Sequence, residues 1–162
     1  MAITHMAYQT MLRQINLQDI YIQQAFEFYR DRYCNNDEIQ RFVSTSNAIP
    51  DELRDHAFIG LCDRALGLEI PSARTIEGGA IRGHYQHCGL FVPSGGELFR
   101  GCVVFPEFDD KTGQIVTAVG YRFGRVRDWQ KPVVYWTKPQ PDQLVMNGLN
   151  TVRKMAHAKA YH

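Results

Sequence analysis

The sequence predicts an α+β fold: a helical amino-terminal half, a small antiparallel β-sheet and a carboxy-terminal helix. Three observations predict it. Apolar residues recur at three- and four-residue spacing in the first third of the chain. After Pro93-Ser94-Gly95-Gly96 the texture changes to β-branched and aromatic runs separated by turn residues. A weakly amphipathic basic stretch closes the chain. The 162 residues have the length of one domain, divided into a mainly helical part (1–92), a basic β-rich part (93–140) and a helix within 141–162.

Each element has a local cause. Leu17, Ile20, Tyr21, Gln24, Ala25 and Phe28 mark one face of a helix from about Asn16 to Tyr33. Asn35-Asn36 stops it, and Asp37-Glu38 opens a short second helix carrying Ile39 and Phe42. Ser44 to Asn47 reads as a polar loop. Pro50-Asp51-Glu52 starts a third helix towards Phe58, because proline suits a first turn and acids suit its positive dipole end. Gly60 and Gly67 interrupt the helical pattern. Glu77-Gly78-Gly79 leads into another short helix with Ala80, Ile81, His84 and Tyr85, stopped by Gly89. Leu98–Phe108 and Gln114–Val126, joined by Asp109 to Gly113, predict a hairpin over about 98–127. Pro106 points to an edge or a strand end. Val133–Thr137 predicts a further strand over about 132–137, and Met146–Ala160 the last helix.

Composition narrows the function classes. With 44% hydrophobic and 22% charged residues, the chain is globular rather than disordered. No stretch approaches the ~20 apolar residues that cross a bilayer, and no secretory signal precedes Leu12. A cytoplasmic protein without membrane contact is the expectation. Cys34, Cys62, Cys88 and Cys102 contain no Cys-x-x-Cys pair, so neither a zinc site nor a disulfide framework is expected. Three of the four lie in apolar company and suit a core.

Candidate chemistry is sparse. His84 and His87 would share a helix face, but no second ligand pair lies near them. Ser94-Gly95-Gly96 lacks the Gly-Lys-Ser/Thr ending of a phosphate cradle. Glu107, Asp109 and Asp110 belong to a turn, where acids serve the backbone. No nucleophile elbow or Cys/His pair is present, so no metal, no cofactor and no catalytic residue is expected.

Charge carries more information. The formal net charge is +1, which argues against a histone-like polyanion binder. Yet residues 1–81 hold seven Arg and no Lys against eleven acids, and residues 82–162 hold eleven basic residues against six acids. Lys111, Arg122, Arg125, Arg127, Lys131 and Lys138 face only Asp128 in the densest segment. Tyr121, Arg122, Phe123, Arg125, Arg127 and Trp129 interleave aromatic and cationic groups, the combination that stacks bases and holds phosphates. Strand alternation would put Tyr121, Phe123, Arg125 and Arg127 on one face and Arg122 on the other. The alternative is that the aromatics are core and the arginines their solvated neighbours.

From Ile20 to Pro141 a series of short motifs resembles the region before the TOPRIM domain of bacterial-type DNA primases, above all the zinc-finger/TOPRIM primase-like proteins of plasmids and other mobile elements. The residues are Phe58 to Gly67, Gly79-Ala80-Ile81-Arg82-Gly83, Cys88-Gly89-Leu90, Ser94 to Glu97, Phe99-Arg100-Gly101-Cys102-Val103-Val104-Phe105-Pro106, Phe108-Asp109 with Gly113-Gln114-Ile115-Val116, and Pro132-Val133-Val134-Tyr135-Trp136. A Gly-Arg pair is met as Gly124-Arg125 or as Gly120-Tyr121-Arg122. The resemblance implies an α/β module whose basic groove holds a single-stranded template. By residue match, Arg100 and Arg125 (or Arg122) would contact the backbone and Tyr135 would lie near the template. Cys102 stands where the family has a second arginine, and Val133 or Val134 where it has a lysine. The acids that perform chemistry in the family would follow His162, so no primer synthesis is expected from these residues.

Three functions remain open on sequence. The first is a non-catalytic DNA-binding protein of a plasmid or other mobile element, acting in replication or conjugative transfer. The second is a transcriptional regulator, expected to act as a homodimer on a palindromic site. The third is an interaction subunit of a split primase or helicase complex. The candidate nucleic-acid contacts are Arg100, Lys111, Arg122, Arg125, Arg127, Lys131, Tyr135 and Lys138.

Overall fold

The computed structural model describes residues 2–140, with side chains from residue 17. The helix expected over Met146–Ala160, and the segment 141–162 as a whole, lie outside the described residues. The fold is α+β, with helices followed by a four-stranded antiparallel sheet in the order β1-β2-β3-β4.

Helix α1 runs over Ala2–Cys34, beginning well before Asn16 because no glycine or proline interrupts Ala2 to Asn16. Its buried stripe is Ile22, Ala25, Phe26 and Tyr29, while Leu17 and Ile20 are exposed. The expected face is therefore rotated, because the bulkier stripe wins the core. Asn36 caps α2 (Asp37–Thr45) by accepting from the Ile39 N–H at 3.0 Å. Ile39 and Val43 are its buried residues. The third helix, α3 (Asp51–Arg54), stops well short of Phe58. The chain turns at His56, whose N–H donates to Leu53 O, and then extends.

Two elements were absent from the sequence expectation. β1 (Gly60–Cys62) replaces the supposed helix break and is buried at every position. The short helix α4 (Ala65–Glu69) follows it. α5 (Ile76–His87) is capped by Thr75 and gives way to Cys88 and Gly89, as expected.

β2 (Cys102–Phe108) and β3 (Ile115–Arg122) form the hairpin, and β4 (Val133–Thr137) completes the sheet. Both faces of the sheet are covered. Cys62, Cys102, Val104, Ala118 and Trp136 join the cluster built with α1 and α5. Leu61, Val103, Phe105, Val119 and Tyr121 join the cluster built with α2. This explains why β2 is buried over five consecutive residues instead of alternating. β2 is an interior strand, yet β1 pairs only with Cys102 to Val104. Pro106, which pairs with Ala118, thus lies past the end of β1, where no ladder donor is needed on that side. Gly120 is set by packing: a Cβ there would approach Phe99 Cδ1 to 2.6 Å.

Cys62, Cys88 and Cys102 are buried and Cys34 is exposed. Among the described residues no helix is long and apolar enough to cross a membrane.

Candidate nucleic-acid interface

The basic segment leaves the sheet at Arg122. Two residues later Gly124 takes φ 79°, a left-handed conformation that suits glycine and ends the extended run. Arg125 and Arg127 therefore stand on a loop, and the strand alternation expected for them does not apply. The loop is pinned at its base. The Arg122 guanidinium donates to Lys131 O at 2.6 Å and to Arg100 O at 3.0 Å. Arg122 N–H donates to Pro132 O, and Phe123 N–H to Gly101 O. Nearer the tip, Gln130 Oε1 accepts from the Arg127 N–H at 3.1 Å. Trp129 is 69% exposed, with the Arg127 guanidinium 5.9 Å from its ring centroid.

The facing wall comes from the turn after β1. Asp63 is held by Arg32 through Nε at 2.9 Å and Nη2 at 2.5 Å. Arg64 takes φ 68°, the one left-handed non-glycine residue among those described. Such a conformation costs about 1–2 kcal/mol for an L-residue, so the surrounding structure must impose it.

Between these walls lie two adjoining clefts. The larger, about 610 Å³, is lined by Arg64, Arg122, Arg125, Arg127, Trp129 and Gln130, with Asp63, Gly101 and Phe123. The smaller, about 430 Å³, shares Arg64, Trp129 and Gln130 and adds Arg100, Glu97, Phe91, Leu68 and the glycines 67, 95 and 96. Among the described residues, the side chains of Arg64, Arg100, Arg125 and Arg127 make no hydrogen bond or ion pair. The groove is thus lined by cationic groups with donors to spare, beside an exposed indole.

The expected contacts separate accordingly. Arg100, Arg122, Arg125 and Arg127 come together here. Arg122 spends donors on the loop backbone. Lys131 is exposed at the loop's end, outside the lining of either cleft. Lys138 forms an ion pair with Asp19 of α1 and donates to Gln114 at 3.3 Å, so its charge is matched within the fold. Lys111 sits in the turn between β2 and β3, at the end of the hairpin opposite Arg122. Tyr135 is 75% exposed on β4 and lines neither cleft. Sequence reasoning did not single out Arg64 as a contact. Its signal is its place two residues after the short buried triplet Gly60–Cys62, which has no alternation to mark it as a strand.

Glu97 is the other residue missed. It is only 6% exposed, yet lines the smaller cleft. Its oxygens meet the Tyr29 hydroxyl at 3.5 Å, the Cys62 thiol at 3.5 Å and the Gly67 N–H at 3.4 Å. Burial pushes its carboxyl above the usual range, and pushes the Cys62 thiol and Tyr29 phenol well above theirs. Among the described residues no group of three or more His, Cys, Asp or Glu could hold a metal ion. His84 instead stacks on Tyr21, with ring centroids 4.7 Å apart.

The fold so defined is primase-like. A solved structure, that of the Aquifex aeolicus primase (zinc-binding and RNA polymerase domains), is similar to it with a TM-score of 0.54 and 19% sequence identity. The match covers 78% of this chain and 30% of that one, so the chain spans under a third of its neighbour's length. No protein-family model matches the chain, and no curated protein matches its sequence.

Proposed function

We propose that the protein binds single-stranded DNA along the two-cleft groove, without chemistry of its own, in the replication or transfer of a plasmid or other mobile element. The observation that carries this reading is the meeting of Arg64, Arg100, Arg125 and Arg127, their donors unspent, around Trp129 on a primase-like fold. Guanidinium groups hold phosphates and an exposed indole stacks a base, which duplex DNA does not offer. Of the acids that line the clefts, Asp63 is paired with Arg32 and Glu97 is buried.

Fluorescence polarisation at low salt tests the reading. A labelled single strand should bind more tightly than duplex, with a log–log salt slope of about −3 if about four phosphates are neutralised. Absence of binding to any DNA overturns it in favour of an interaction subunit. A discrete footprint on the protein's own upstream duplex overturns it in favour of a regulator.

A further inference from the structure

We propose that the smaller cleft is a base pocket that selects guanine on the bound strand, with Glu97 as the residue that reads it. The inference rests on the single-strand reading above.

Glu97 is out of place in a cationic groove unless it has a task. Burying a carboxylate is costly unless strong donors surround it. Here two contacts are long, at 3.4 and 3.5 Å, and the third comes from a thiol, a weak donor. A carboxylate offers about four lone-pair sites, so acceptor capacity remains. No ion pair of Glu97 exists among the described residues.

The rest of the cleft specifies a flat ligand joined to a polyanion. Trp129 offers an exposed indole, and Phe91 and Leu68 are apolar. Gly95 and Gly96 place no side chain in the way. Arg64 and Arg100 stand where flanking phosphates would need cations. The volume of about 430 Å³ falls within the ~300–1,000 Å³ of small-ligand sites.

Among the bases, guanine alone fits a carboxylate with both oxygens. Its Watson–Crick edge carries the N1–H and N2–H donors side by side. Adenine and cytosine set one amino donor beside a ring-nitrogen acceptor, which would face the second oxygen and repel it. Thymine has a single N–H between two carbonyls. A peptide guanidinium would match the carboxylate too, but Arg64 and Arg100 would repel it.

The test is equilibrium binding of the full chain to a labelled thymine strand about twelve nucleotides long, with one central base replaced in turn by guanine, adenine, cytosine or hypoxanthine. The guanine strand should bind about tenfold tighter than the all-thymine strand, within what a two-point base contact supplies. Hypoxanthine, which lacks the 2-amino group, should lose most of that gain without any change to the protein. Glu97→Gln should bring the guanine strand down to the thymine level, with thermal melting confirming that the variant folds. Equal binding of all strands overturns the pocket while leaving the groove. A guanine preference that survives Glu97→Gln, or is unchanged for hypoxanthine, also overturns it. If no strand binds, the groove itself is overturned and the pocket with it.

Discussion

The indole N–H of Trp136 donates to the carbonyl of Cys88 at 2.7 Å, joining β4 to the residue that ends α5. Both residues are buried, and the Trp136 ring packs at 5.5 Å from Phe26 of α1. One side chain therefore ties the outer strand of the sheet to two helices. Trp136→Phe should leave the Cys88 carbonyl buried without its donor. The expected loss is about 1–3 kcal/mol, read by denaturant unfolding. A change within about 0.5 kcal/mol, the range of ordinary surface substitutions, would show that the bond is dispensable.

The two kinds of arginine in the groove should behave differently. Arg125→Ala with Arg127→Ala should weaken single-strand binding at every sequence and lower the salt slope by about 0.7 per contact. The fold should stand, since neither side chain makes a bond among the described residues. Arg122→Ala removes donors to Lys131 O and Arg100 O and should destabilise the protein by about 1–2 kcal/mol. Thermal melts and polarisation titrations on both variants separate the roles. Equal melts would count against the pinning role of Arg122.

Arg64 sets stability against binding. Glycine at this position removes the left-handed penalty of about 1–2 kcal/mol and adds chain entropy of about 0.5–1 kcal/mol to the unfolded state. Arg64→Gly should therefore be as stable as the native chain or more so by up to about 1.5 kcal/mol, while its affinity for single strands falls. A variant that is less stable yet binds fully would assign Arg64 to the fold and not the groove.

Glu97 predicts a pH signature. Burial raises its folded-state pKa above that of the unfolded chain. The stability associated with its proton is full below the ordinary carboxylate range and is lost as pH rises through the raised value. Of the groups facing it, Tyr29 and Cys62 are held neutral by burial over that window, and Asp63, whose charge adds to the upward push, is ion-paired with Arg32. Glu97→Gln imitates the protonated acid and escapes the loss. Its melting temperature should gain on the native protein from acid towards neutral pH and then run parallel. A difference constant with pH would mean that the carboxyl titrates as in the unfolded chain.

What was legible in one dimension follows from how each element is specified. The hairpin was, because β-branched residues flank a five-residue turn. The starts of α2 at Asp37 and of α3 at Pro50-Asp51 were, because the signals that open a helix are local. β1 was not: three residues buried on both faces carry no alternation, and Gly60 lies so close to Tyr29 that its Cβ would sit 2.8 Å from Tyr29 Cβ. For the groove, Arg100, Arg122, Arg125 and Arg127 could be proposed from charge and from the resemblance. Lys138 could not be separated from them, because its partner Asp19 lies on a helix at the other end of the chain. Arg64 and Glu97 depend on β1 and on a buried contact with α1, neither of which has a periodic signature.

The order of the strands has a kinetic consequence. β2, β3 and β4 form a meander of sequence neighbours, whose pairing closes only short loops. β1 must return across α4, α5 and the glycine loop to place Gly60 opposite Val104. Contacts of such separation are slow to form. One wall of the groove rides on the meander and the other, Arg64, on the end of β1. An intermediate holding only the meander would have half a groove, so capture of a labelled strand during refolding would time the docking of β1 rather than the collapse of the chain.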